Sequence, residues 1–184
     1  MEQIELAVQH LVSGNTILYP TDTIWGLGCD ATNEDAVDNI SRIKHREHDG
    51  YIVLVSDMVM LKNIVTEISP AIEELAQSNE RPTTIIYPSF INLAQNISRK
   101  EGSIAIRLVR DGYCHQLIKQ FKYPIVSTSA NISGNKAPLS FAEIDEYILS
   151  AVDHVVNLPN EKIGTEPSRI IKVGKGDKIT TIRS

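Results

Sequence analysis

Cysteine is almost missing from this sequence: Cys29 and Cys114 are its only two. They stand far apart with no second pair, too few for a disulfide framework or a zinc site, so a reducing compartment, the cytoplasm, is predicted. Long apolar runs are missing as well. The longest, around Tyr51–Val55, has the length of a buried strand, so no segment is expected to cross a membrane. Met1 to Glu5 carries neither the basic start nor the apolar stretch of a secretory leader. Positive charge is not in excess: the net charge of −5 argues against coating nucleic acid through total charge, while leaving room for a local basic cleft.

Familiar catalytic devices are also absent. Ser129 does not sit in Gly-x-Ser-x-Gly, neither cysteine has an activating neighbour, and most acidic residues fall on predicted helix faces as solvated charge. Neither a nucleophilic triad nor a carboxylate pair is expected. Gly26-Leu27-Gly28 lacks the third glycine of a dinucleotide fingerprint and the Gly-Lys-Ser/Thr ending of a phosphate loop. His45 and His48 have no further carboxylate or histidine at helical spacing, so no metal site is expected.

What remains is an ordinary globular composition, 42% apolar and 22% charged over 184 residues, the size of one domain spanning 1–184. Helical and strand patterns alternate. Ile4, Ala7, Val8, Leu11 and Val12 form a helical face stopped by Gly14, and a strand at Thr16–Tyr19 is broken by Pro20. Asn33 caps a helix carrying Ala36, Val37, Ile40 and Ile43, and Ser69 with Pro70 opens another to about Gln77. Asp111–Phe121 is helical, and Ser140 with Glu143 forms a capping box for a helix to Leu149. Strands are expected at Tyr51–Val55, Thr83–Tyr87, Ser103–Val109, Ile125–Ser127, His154–Leu158, Arg169–Val173 and Lys178–Ile182. The pattern is α/β: a twisted mixed sheet flanked by helices, its strand-rich tail suited to antiparallel pairing.

Three polar segments could carry chemistry. Tyr19–Gly28 follows a strand with small hydroxyls and Gly-x-Gly, which admit a close ligand, although composition alone favours a plain turn. Lys44-His45-Arg46 ends the Asn33 helix, where two cations could hold a polyphosphate or simply answer the helix dipole. Ser127–Gly134 is a long run of hydroxyls and amides at the C-terminal end of a strand, where α/β sheets bind ligands. Arg107, inside an apolar strand, must reach solvent or meet an anion.

Taken in order, these segments resemble the YrdC family, the L-threonylcarbamoyladenylate synthases. Tyr19–Ala31 is similar to the family's opening Tyr-Pro-Thr-Asp-Thr-x-x-Gly-Leu-Gly-Cys-Asp-Ala segment, and Ile43–Arg46 to its Lys-x-Arg element. Pro82-Thr83-Thr84 resembles a Pro-x-Thr strand, Ile104–Arg107 a Val-Ala-x-Arg strand, and Ser127–Gly134 the Ser-Ala-Asn-x-Ser-Gly loop. The likeness runs from about residue 1 to 173. It implies a single YrdC-like domain with a concave ligand cleft that turns L-threonine, bicarbonate and ATP into threonylcarbamoyl-AMP and pyrophosphate. Mg²⁺ would accompany the nucleotide, with no tightly bound cofactor and no protein metal site. The product would pass to a separate tRNA-modifying transferase complex.

By the same likeness Lys44 and Arg46 are expected as catalytic and nucleotide-binding residues. Thr21, Thr23, Arg107 and Ser129 are expected on threonine or its carbamate, and Thr84, Ser129, Asn131 and Ser168 on the nucleotide. Four departures bear on ligand detail and activity. Trp25 replaces a tyrosine, Glu80-Arg81-Pro82 a Pro-Gly-Pro, Gly50 a Lys or Asn, and Arg169 a threonine. Two rival functions remain open. One is a module for double-stranded RNA or ribosome maturation, with Lys44, Arg46, Arg81, Arg107 and Arg110 as its basic patch. The other is a nucleotide-binding paralogue without synthase activity.

Overall fold

The computed structural model describes residues 2–46, 50–78, 81–99, 101–158 and 166–184; His48 and Glu80, both weighed above, lie outside them. The chain opens with helix α1 (Glu2–Val12), which buries Ile4, Ala7 and Leu11 and is followed by Gly14 at φ +76°. Strand β1 (Ile17–Pro20) runs through Pro20 instead of stopping before it. The neighbouring strand on that side pairs only with Ile17 and Leu18, so the missing N–H of Pro20 leaves no rung broken. Strand β2 (Trp25–Asp30) occupies what the sequence suggested was turn or loop. Helix α2 (Glu34–Ile43) is capped by Asn33, whose side chain accepts from the Ala36 N–H at 3.1 Å.

Strand β3 (Ile52–Val55) leads to the five-residue helix α3 (Met58–Lys62), unforeseen in the sequence and capped by Asp57. Helix α4 (Pro70–Gln77) begins at the expected Ser69–Pro70 step. Strands β4 (Thr83–Tyr87) and β5 (Ile104–Leu108), helix α5 (Gly112–Phe121) and strand β6 (Ile125–Ser129) follow. The capping box at Ser140 needs correction. Glu143 does reach back, accepting from the Leu139 N–H at 3.0 Å, but it closes a single 3₁₀ turn, Phe141–Glu143. Helix α6 (Glu146–Ala151) starts afresh at Asp145. The chain finishes with β7 (His154–Val155), shorter than expected, β8 (Arg169–Val173) and β9 (Ile179–Arg183).

The described strands form one nine-stranded mixed sheet in the order β7-β1-β2-β6-β3-β5-β4-β8-β9. The tail is only partly antiparallel: β9 pairs antiparallel with β8, whereas β7 and β8 add parallel to β1 and β4. Strand alternation sorts side chains between two faces. On one face Leu27, Val53, Ile85, Ile106 and Val126 pack under α2, α3, α4 and α6. On the other, Ile17, Tyr19, Leu54 and Ile125 pack under α1 and α5. These two helices cover only one end of that second face, and the rest of it carries the site.

Candidate active site

Register carries one face across the sheet without interruption. Gly26 lies opposite Ser129, Ser127 opposite Ile52, and Leu54 opposite Arg107. From Arg107 the row continues to Thr84, Ile170 and Arg183. Apart from Leu54, which packs under α1 and α5, and the buried Thr84, this row forms the floor of a cavity of about 260 Å³. Gly26 makes the floor low, and Gly28, outside the cavity, is fitted as closely to its neighbours. A Cβ on Gly26 would come within 3.0 Å of Ser127 Oγ and Thr21 Cγ2; one on Gly28 would meet Tyr19 Cε1 at 2.6 Å and Val126 O at 2.7 Å.

Thr21, Thr23, Arg46, Arg107, Ser129 and Ser168 line the cavity, six of the residues singled out from the sequence. The Thr21 hydroxyl is taken up by its own turn. It donates to Ile24 O at 2.7 Å and accepts from the N–H groups of Thr23 and Ile24 at 3.1 and 3.2 Å. Arg107 is 4% exposed, and its Nη2 donates to Asp22 Oδ1 at 2.8 Å and to Thr23 Oγ1 at 3.5 Å. Its Nε is buried with no hydrogen-bond partner among the described residues. The anion that a strand arginine requires is therefore Asp22.

Lys44, Thr84 and Asn131 stand one layer behind the cavity wall, each bonded to a residue that forms it. The Lys44 ammonium donates to Ser129 O and Asn131 O, both at 2.6 Å, while the Lys44 carbonyl accepts from the Ser133 N–H at 3.0 Å. Burial, helped by the nearby Arg46 charge, pulls the Lys44 pKa down to about 8. Asn131 donates its N–H to Ser129 O at 2.9 Å and its side-chain amide to Ile132 O and Asn135 O; its Oδ1 is buried with no partner among the described residues. Thr84 shares a 2.7 Å hydroxyl contact with Ser168, and both are buried.

Three residues of the site escaped the sequence reading. Asp22 sat inside the first polar segment and only the fold shows what it holds. Arg99 comes from the turn before β5 and lines the cavity. Arg183 lies beyond the span of the resemblance, yet its Nε and Nη2 donate to Ser168 O at 3.0 and 2.8 Å. Partial burial and the charge of Arg107 lower the pKa of Arg183. Four arginines, at 46, 99, 107 and 183, thus line one cavity, and among the described residues no carboxylate does. In a chain of net charge −5 that is a concentrated anion site.

The departures also find places. Trp25 is buried against Phe141, ring centroids 5.1 Å apart, and its indole Nε1 has no partner among the described residues. Arg81 and Arg110 share a second, smaller cavity of about 190 Å³ with Asp22. Arg169 donates its N–H to Pro82 O at 3.0 Å, while its Nε is buried without a partner among the described residues. Among those residues, no group of three His, Cys, Asp or Glu side chains gathers.

Comparison with known proteins adds independent findings. The family model covering Sua5, YciO and YrdC proteins, described as "Telomere recombination", matches residues 9–184. A threonylcarbamoyl-AMP synthase of Pseudoalteromonas translucida is 31% identical over 173 residues, covering 91% of both chains. One from Acinetobacter baumannii is 30% identical over 183 residues, covering 94% of this chain and 95% of the other. Among solved structures, P. abyssi Sua5 complexed with L-threonine has a TM-score of 0.87 at 26% identity over 98% of this chain. The present chain spans about half of that one, 53%. E. coli YciO shares the fold, with a TM-score of 0.85 at 21% identity, covering 100% of this chain and 89% of its own.

Proposed function

This chain belongs to the Sua5, YciO and YrdC family, and from that premise we propose that it makes L-threonylcarbamoyl-AMP from L-threonine, bicarbonate and ATP. It works as one YrdC-like domain over 1–184, in the cytoplasm. Described residues include no helix long and apolar enough to cross a membrane. The observation that carries the reading is the cavity lined by four arginines and floored in part by Gly26, Ser127 and Ser129. It matches a reaction between a triphosphate and a carboxylated amine.

In this reaction the threonine amine and bicarbonate condense to a carbamate with loss of water. A carbamate oxygen attacks the α-phosphorus, a new P–O bond forms, and the bond to the β-phosphate oxygen breaks as pyrophosphate leaves. No covalent enzyme intermediate is required; orientation and charge stabilisation carry the rate. Arg107, fixed by Asp22, and the Thr23 hydroxyl receive the amino acid. Thr21 shapes the turn that presents Thr23. Arg46 and Arg183 face the phosphates, and Ser129 and Ser168 meet the carbamate or nucleotide. Lys44, Asn131 and Thr84 hold the wall in place from behind.

Mg²⁺ would arrive on the nucleotide as part of the substrate and would help to neutralise its phosphates. The product goes to a separate tRNA-modifying transferase complex, so the chain need not grip tRNA itself. Pyrophosphate release by the purified protein, with and without L-threonine and bicarbonate, tests the assignment. Release that needs both co-substrates is expected. Release indifferent to them, or none at all, would remove it.

A further inference from the structure

Residue 50 and residue 99 are fitted to each other. Gly50 has φ +72°, and a Cβ built on it would collide with the Cγ of Arg99 and crowd its Cβ and Cα at 3.2 and 3.3 Å. The Arg99 stem therefore lies across the side of residue 50 that any other amino acid would fill. One backbone bond joins the two segments, and two more close the turn that carries Arg99. The Tyr51 N–H donates to Ile97 O at 3.2 Å, and the Arg99 N–H donates to Ser103 O at 3.0 Å. The Arg99 carbonyl in turn accepts from the Gly102 N–H at 2.8 Å.

Arg46 belongs to the same wall. Its Nη2 donates to Gly50 O at 3.1 Å, and its guanidinium stands 5.1 Å from the centre of the Tyr51 ring. Both arginines line the cavity. Asp22 answers Arg107 from the neighbouring cavity, whereas Arg99 makes no direct ion pair among the described residues: the exposed Glu101 feels its charge but gives its carboxylate to Lys172. A cation placed beside Arg46, in a cavity that no carboxylate lines among the described residues, suits a ligand carrying several negative charges on one end.

We infer that Arg99 binds the polyphosphate of the nucleotide, admitted to the cavity by the missing side chain of Gly50. The inference rests on the ATP-dependent reading above. It assigns the wall formed by Arg46, Gly50, Tyr51 and Arg99 to phosphate, and the Asp22–Arg107 corner to the amino acid. Gly50 and Arg99 then act as one unit, since a side chain at 50 displaces the guanidinium at 99.

Steady-state kinetics of Arg99→Ala, Arg99→Lys, Gly50→Ala and the double alanine variant test this. Arg99→Ala raises the KM for ATP by about tenfold, the worth of one charge-assisted contact, and leaves the KM for L-threonine unchanged. Arg99→Lys recovers part of the loss. Gly50→Ala also raises the KM for ATP, but adds nothing further once Arg99 is alanine. An effect of Arg99→Ala on L-threonine instead, or on neither substrate, overturns the inference. If the wild type shows no synthase turnover, the reaction assignment falls, and calorimetric titration with ATP still decides the role of Arg99. Weaker ATP binding by Arg99→Ala sustains it; equal binding, or no binding by the wild type, overturns it.

Discussion

Lys44 shows how far a residue's chemistry depends on where the fold takes it. As a cation ending a helix it looked suited to phosphate, and the lysine-to-arginine spacing was legible in the sequence. The structure gives its ammonium to the carbonyls of Ser129 and Asn131, so the loop between β6 and the Asn131 turn is set by this side chain. The depressed pKa, about 8, has two consequences. Above pH 8 the folded protein releases this proton while the unfolded chain keeps it to about 10.4. The unfolded state then binds more protons, so the Lys44 contribution to stability rises with pH across that window. Any turnover that needs the ammonium falls across the same range. Accordingly kcat/KM should decline as pH rises through about 8, and Lys44→Met should be at least about tenfold slower at neutral pH. A flat profile to about pH 9.5 in the wild type would show that the charge of Lys44 is not used.

At the scale of elements, β2 was hidden in the sequence, and β9, although expected as a strand, carried no sign of its role. Trp25–Asp30 contains two glycines, poor strand formers by intrinsic preference, and nothing local marks it as a strand. It becomes one because β1 and β6 pair with it on both sides and because Tyr19 and Val126 leave no room for a side chain at 28. Gly28→Ala should therefore cost about 1–3 kcal/mol, since the backbone oxygen of Val126 cannot give way as a flexible side chain could. A fall in the urea midpoint with an unchanged slope would register it, whereas an unshifted midpoint would mean that the strands part without penalty. Helix α3, five residues long, was too short for a helical period to emerge. By contrast, α1, α2 and α4 were legible because apolar spacing and cap residues agreed at each. Strand β9 has every residue exposed and looks expendable, but it brings Arg183 onto Ser168. No property of Arg183 alone could have announced that, because its partner, Ser168, stands just before another strand.

For the whole molecule, the fold class and most of the cavity-lining residues followed from the sequence, while the balance of charge within the cavity did not. Net charge described a mildly acidic surface; the cavity gathers four of the 18 basic residues with no lining carboxylate among the described residues. Attraction of this kind is screened by salt, the Debye length falling from about 14 Å to about 4 Å between roughly 0.05 and 0.5 M. The KM for ATP should therefore rise several-fold over that range while the KM for zwitterionic L-threonine moves little. Equal responses of both substrates would contradict a phosphate end of concentrated positive charge. The same floor has a consequence for how the protein comes to exist. It joins residue 26 to 129, 84 to 170 and 52 to 127, pairings that no nucleating hairpin can supply and whose loop entropy must be met before any of them is rewarded. The helices can flicker into shape early, but the anion cavity is a late product of assembly, and a chain that has collapsed without completing its central strands has nowhere to bind a nucleotide.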